Sequence, residues 1–162
     1  RKQLIPTKQL EQSVLFERET ISLAKKLKNS DTGIIAEHKR RSPSKQVINH
    51  DLNVFDVAKG YAEAGVCGMS VLTDGKYVGG SLEDLITARA NCNLHLLGKE
   101  FVIDQYKIIE ASTTGTDDNL LTAGILLKKQ IKQFSEFGSR QSVNLIFVVL
   151  NEDKLNKPIC TV

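Results

Sequence analysis

The chain has 162 residues, 41% hydrophobic and 25% charged, which is enough to bury a core of ordinary size. Its net charge of +3, with acids interspersed among the bases, leaves no nucleic-acid footprint, and no stretch approaches the ~20 apolar residues of a bilayer span. Cys67, Cys92 and Cys160 lack the paired spacing of a disulfide framework, and His38, His50 and His95 lack metal-ligand spacing; with no signal-peptide core at the start, the expectation is a reduced, cytoplasmic protein without a metal.

In chain order, residues 20–27 read as a helix carrying Ile21, Leu23, Ala24 and Leu27, part of an N-terminal extension (1–32) placed to cover the floor or side of a barrel. From residue 33 onward, short apolar runs alternate with amphipathic segments, the pattern of repeated βα units and a parallel sheet. Strands are expected at 33–37, 66–72, 94–99, 119–123 and 143–149. Between the first two, Asn53 is placed to cap a helix with Val54, Val57, Ala58 and Tyr61 on one face. Ser81 and Asp84 form a capping-box pattern ahead of Leu82, Leu85 and Ile86. Asp104 can cap a helix with Tyr106 and Ile109, and Ile131, Phe134 and Phe137 mark a last one that Gly138 would stop. The fold class is therefore α/β, one domain over 1–162 with five βα units in 33–162. Two architectures fit: part of a (β/α)8 barrel, or an open doubly wound sheet.

The first expected strand ends in an acid and four cations: Glu37, Lys39, Arg40, Arg41 and Lys45, with His38, Ser42 and Ser44 among them. In a parallel sheet the C-terminal strand ends share one edge, so this cluster should meet Thr73 and Asp74 after the second strand and Lys99 and Glu100 after the third. A lysine at an apolar strand end is partly desolvated, which eases proton donation and makes Lys99 a candidate general acid; the plain alternative is a lysine snorkelling to solvent. Lys39, Arg40 and Arg41 read either as a phosphate site or as a solvated face. The segment from Lys76 to Ser81 is a flexible Gly79–Gly80 loop before a helix start, with no dinucleotide fingerprint or P-loop.

These residues resemble a known family. Glu37-His38-Lys39-Arg40-Arg41-Ser42-Pro43-Ser44-Lys45, then Gly60, Tyr61, Ala62, Ala64 and Gly65, Ser70 to Asp74, Gly79 to Leu82, and Lys99, Glu100, Phe101, Ile103, Asp104 and Tyr106 are similar to the strand-end motifs of indole-3-glycerol phosphate synthase, a tryptophan-biosynthesis lyase built as a TIM barrel. The resemblance implies ring closure, decarboxylation and dehydration of 1-(2-carboxyphenylamino)-1-deoxyribulose 5-phosphate, a small sugar-phosphate substrate, with no cofactor and no metal. It implies Lys99 as the general acid at the ribulose carbonyl oxygen, Glu37 and Lys39 in later proton transfers, Lys39 and Ser42 beside the substrate, and Phe101 against the anthranilate ring.

The chain also departs from that pattern. Val148, Val149 and Leu150 stand where the family usually has Glu-Val-His, Gln46 replaces a glycine, and Val78 replaces an aromatic residue. Thr114-Gly115-Thr116-Asp117 replaces Tyr-Gly-Ala-Asp, and Asn119 and Thr122 add polarity to the fourth strand. The first residue is not Met and the chain stops before a sixth strand, so a truncated, diverged portion of the family fold is expected, with impaired activity. The alternative is a catalytically inactive partial barrel, degenerate or self-associating through an exposed fifth strand. A sugar-phosphate isomerase or another amino-acid-synthesis barrel is a weaker third reading, against which the Phe101 context argues.

Overall fold

The computed structural model describes residues 4–100, 102, 104–122 and 126–149. A one-turn helix α1 (Thr7–Leu10) and helix α2 (Leu23–Lys28) precede strand β1 (Ile35–His38). Then follow α3 (Val54–Glu63), β2 (Gly68–Leu72), α4 (Gly75–Val78), α5 (Leu82–Asn91), β3 (His95–Lys99), α6 (Gln105–Ser112), β4 (Asp118–Thr122), α7 (Lys128–Arg140) and β5 (Asn144–Val148). The strands form one parallel sheet in sequential order. Sequential parallel strands joined by outer helices are the wall of a TIM barrel, and the described sheet is five strands of it. None of the described helices is long and apolar enough to cross a membrane.

The strands behave as their sequences require. Register aligns Glu37 with Ser70, Ser70 with Leu97, and Leu72 with Lys99, so alternation puts these side chains on the lumen face. Met69, Val71 and Leu96 face the other way and pack with Val54, Val57 and Ala58 of α3 and Leu82, Leu85 and Ala88 of α5. A second cluster joins Ile108 of α6 and Ile131 and Phe134 of α7 to Leu121 of β4. Burying both strand faces explains why the apolar runs are nearly continuous.

The caps hold where the sequence placed them. Asn53 Oδ1 accepts from Asp56 N at 2.9 Å, and Asp104 Oδ1 from Tyr106 N at 2.8 Å. Ser81 Oγ accepts from Asp84 N at 3.2 Å while Ser81 N donates to Asp84 Oδ2 at 3.0 Å, completing the capping box.

Three expectations are corrected. The helix expected at 20–27 starts only at Leu23, capped by Ser22, because Ile21 N donates instead to the Asp117 carboxylate at 2.8 Å. Gly138 does not stop the last helix. A Cβ there would lie 2.8 Å from Leu145 Cδ1, so glycine serves close approach to β5, and the helix continues to Arg140 until Ser142 adopts φ 55°. The 76–81 loop is not simply flexible: Asp74 Oδ1 accepts from Tyr77 N at 2.6 Å and caps α4, and Gly79 ends it at φ 71°.

Gly80 follows at the closest backbone approach in this segment: an added Cβ would fall 1.8 Å from the Leu72 carbonyl oxygen. Gly60, inside α3, has nothing within 4 Å of that position. Gly80→Ala should therefore cost at least about 2 kcal/mol in urea unfolding, whereas Gly60→Ala should gain roughly 0.5–1 kcal/mol from helix propensity.

The N-terminal extension covers the floor, the end where the strands begin. A Cβ on Gly68, the first residue of β2, would lie 3.4 Å from Leu23 Cδ1. Asp117, just before β4, is 2% exposed and gathers four donors. Oδ1 accepts from Arg18 Nη2 and Ile21 N at 2.8 Å each, and Oδ2 from Arg89 Nη2 at 2.5 Å and Leu96 N at 2.7 Å. Three separate segments thus meet on one carboxylate. Burial lowers the Arg89 pKa, the nearby Asp117 carboxylate opposing it.

The fourth strand carries buried polar side chains. Asp118 Oδ2 lies 2.9 Å from His95 Nε2 with both side chains buried, whereas buried Asn119 Nδ2 has no hydrogen-bond partner among the described residues.

Candidate active site

Glu37 is the last lumen-facing residue of β1, and Lys99 ends β3 one alternation further along the same face. Between them β2 contributes Ser70 and Leu72 to the same face, and the long Lys99 side chain spans that strand to reach Glu37. Lys99 Nζ lies 2.6 Å from Glu37 Oε2, and Lys39 Nζ lies 2.7 Å from Glu37 Oε1. One carboxylate therefore holds an ammonium on each oxygen. Glu37 and Lys39 side chains are about three-tenths exposed and Lys99 is 42% exposed, so the centre is open to a ligand from the strand-end side.

The electrostatics follow from that geometry. Burial alone would raise the Glu37 pKa; the hydrogen bonds from Lys39 and then Lys99, with their charges, outweigh it, and the carboxyl is held below its ordinary value. At neutral pH the group is a carboxylate between two ammonium groups, able to accept a proton from a substrate while a lysine donates one.

The neighbouring cations do different work. Arg40 Nη1 and Nη2 grip Asp84 Oδ2 and Oδ1 at 2.5 and 2.9 Å, and Nη1 also donates to the Gly79 carbonyl at 3.2 Å. Arg41 Nη2 donates to the carbonyls of Gly75 and Lys76 at 2.6 and 2.9 Å. Of the run Lys39–Arg40–Arg41, open from sequence to a phosphate site or a solvated face, the two arginines therefore fasten the loop after β1 onto α4 and α5, and only Lys39 joins the charged centre. Asp84→Ala should cost about 2–4 kcal/mol, because it strands the Arg40 guanidinium and removes the α5 cap; Asp84→Asn, which keeps the cap acceptor, should lose less in the same denaturant titration.

Ser42 lies in a tight turn, its N donating to the Lys45 carbonyl at 2.8 Å and its hydroxyl 3.2 Å from Ser44 Oγ. The other rim groups do not converge. Asp74 is spent as the α4 cap, and Glu100 pairs with Lys107 at 2.6 Å, whose pKa rises although burial alone would lower it, because Glu100 and Glu110 outweigh that effect. His38 faces away from the lumen and is 4% exposed; burial, then Arg40, lowers its pKa against the pull of Asp84. Phe101 lies outside the described residues. Among the described residues no group of three or more His, Cys, Asp or Glu side chains is arranged to hold a metal ion.

Sequence reading missed the partnership of Arg40 with Asp84 and the role of Asp117. An aspartate inside a capping box already has one use, and nothing in the local pattern reveals a second partner 44 residues away.

Comparison with known proteins gives the family. A family profile described as "Indole-3-glycerol phosphate synthase" matches residues 1–160. The indole-3-glycerol phosphate synthase of Bacteroides thetaiotaomicron is 34% identical over 154 residues, covering 95% of this chain and 59% of its own. That of Leptospira interrogans is 38% identical over 134 residues (83% and 53%), and that of Acinetobacter baylyi 35% over 136 residues (84% and 51%). The chain thus spans between half and three-fifths of the length of these curated relatives. Motifs, sheet and profile agree, and the chain belongs to the indole-3-glycerol phosphate synthase family.

Proposed function

We propose that the centre formed by Glu37, Lys39 and Lys99 carries the proton transfers of indole-3-glycerol phosphate synthesis. The observation that supports it most is the Glu37 carboxylate held 2.6 and 2.7 Å from two lysine ammonium groups at the open strand ends. In this reading the substrate is 1-(2-carboxyphenylamino)-1-deoxyribulose 5-phosphate. Lys99 donates a proton to the ribulose carbonyl oxygen as the aromatic carbon bearing the carboxylate attacks the carbonyl carbon. Ring closure leaves positive charge conjugated with nitrogen, which accepts the electron pair released when carbon dioxide departs. Loss of the protonated oxygen as water and of a ring proton then completes the indole, and Glu37 and Lys39 serve these last transfers. In this reading Lys39 and Ser42 contact the substrate, and Phe101 is the residue assigned to the anthranilate ring. The reaction requires placed acids and bases and no metal or organic cofactor.

A second reading rests on Val148. It pairs with Thr122 at the end of β5, on the lumen face where the family pattern has its carboxylate, so one acid–base group is missing from this rim. In that reading the chain is an inactive partial barrel whose fifth strand associates with another chain, and a sizing column should show a species larger than a monomer.

The test is product formation, followed by indole fluorescence, from the carboxyphenylamino ribulose phosphate. It is run with this chain alone and with the remaining strands of a relative's barrel supplied in trans. Turnover in either arm that is lost in Lys99→Met supports the synthase reading, and no turnover in both arms overturns it.

A further inference from the structure

We propose that Tyr61 is a positioning residue for the charged centre: from α3, its hydroxyl donates to the Glu37 main-chain carbonyl at 3.0 Å and fixes the strand end that aims the carboxylate at both lysines. The proposal rests on the reading of Glu37, Lys39 and Lys99 as the reacting centre.

Glu37 needs such an anchor because β1 lies at an edge of the described sheet. Among the described residues it pairs only with β2, and Ile34 and Ile35 at its start are 52% and 40% exposed. Its end must nevertheless hold a carboxylate within hydrogen-bond distance of a side chain two strands away. Tyr61 can supply this rigidity. It lies on the α3 face defined by Val57 and Ala58, and its ring packs against the cluster that includes Met69, Val71 and Leu85. The hydroxyl is thus the polar tip of a side chain whose body is set in the core. Fastening the carbonyl of Glu37 itself, rather than its carboxylate, leaves both carboxylate oxygens for Lys39 and Lys99. On the far side, Arg40 is fastened to Asp84, so the segment 37–40 is held at both ends while the side chains of Glu37 and Lys39 stay free to act.

Two variants of the full chain separate positioning from packing. Tyr61→Phe keeps the ring and deletes the donor; Val57→Ala keeps the hydroxyl and removes core contact from the same helix. Titration of the Glu37 carboxyl by carbon-13 NMR reads the centre without requiring turnover. The expected result is that Tyr61→Phe keeps its melting temperature within a few degrees and moves the Glu37 midpoint up by about half a pH unit or more. Val57→Ala should lower the melting temperature and leave the midpoint in place. An unmoved midpoint in Tyr61→Phe, or an equal movement in Val57→Ala, overturns the proposal. Absence of turnover in the unmodified protein counts against the synthase reading alone, since the titration still decides whether Tyr61 aims Glu37. Where turnover is present, the acid limb of the kcat/KM profile in Tyr61→Phe should move with the midpoint.

Discussion

Under the proposed synthase function, Lys99→Met is expected to lower kcat by about 10²–10⁴-fold, the range for a positioned general acid, with a much smaller change in KM. Methionine keeps most of the length of the side chain and removes the ammonium group with its protons. With 42% of the Lys99 side chain exposed, the ion pair adds little to folding, so the melting temperature should stay almost unchanged. The pH dependence follows from Glu37. Its carboxyl is depressed in the fold, so the arrangement with both lysines is intact above the ordinary glutamate pKa and is lost as pH falls through the lowered value. Turnover under the proposed function should therefore persist into mildly acidic buffer before it drops. In Lys99→Met the same carboxyl keeps only Lys39, and its midpoint should rise.

Asp117→Ala should be the most damaging single change to stability, costing about 3–5 kcal/mol in denaturant unfolding. The side chain is buried, and its loss removes partners from Arg18, Arg89 and the backbone N–H groups of Ile21 and Leu96 at one stroke. Two of these groups are guanidinium ions, of which Arg89 is 10% exposed, so water can re-satisfy them only by opening the floor. Asp117→Asn keeps two acceptor lone pairs but loses the charge, and should fall between the two. A loss below about 1 kcal/mol for the alanine variant would mean that the N-terminal extension is not latched through this carboxylate.

The parts of the fold that the sequence made legible are those governed by local pattern. Strands β2 and β3 are readable because each is a short apolar run buried on both faces, and the displacement of β1 and β4 by one or two residues reflects ends that tertiary pairing decides. Asn53, Ser81 and Asp104 announced helix starts because a cap is a contact within three residues. The end of α7 was not legible in the same way, since a glycine that ends a helix and a glycine that lets a helix approach a strand look identical until Leu145 is in place. In the site, Glu37 and Lys99 could be brought to one rim from topology alone, because parallel strands share their C-terminal edge. What topology could not supply was the division of labour among Lys39, Arg40 and Arg41, which depends on Asp84 and on carbonyls of α4, all more than 30 residues away. Tyr61 was read as a core-facing aromatic; its ring does pack on the core, and only the position of its hydroxyl distinguishes it from a phenylalanine.

Titration of Glu37 in the unmodified chain beside Lys99→Met and Lys39→Met decides whether one carboxylate is shared by lysines from two different strand ends. The predicted result is a midpoint below the ordinary glutamate value in the unmodified chain, raised by each substitution. An ordinary midpoint that neither substitution moves would contradict the shared centre.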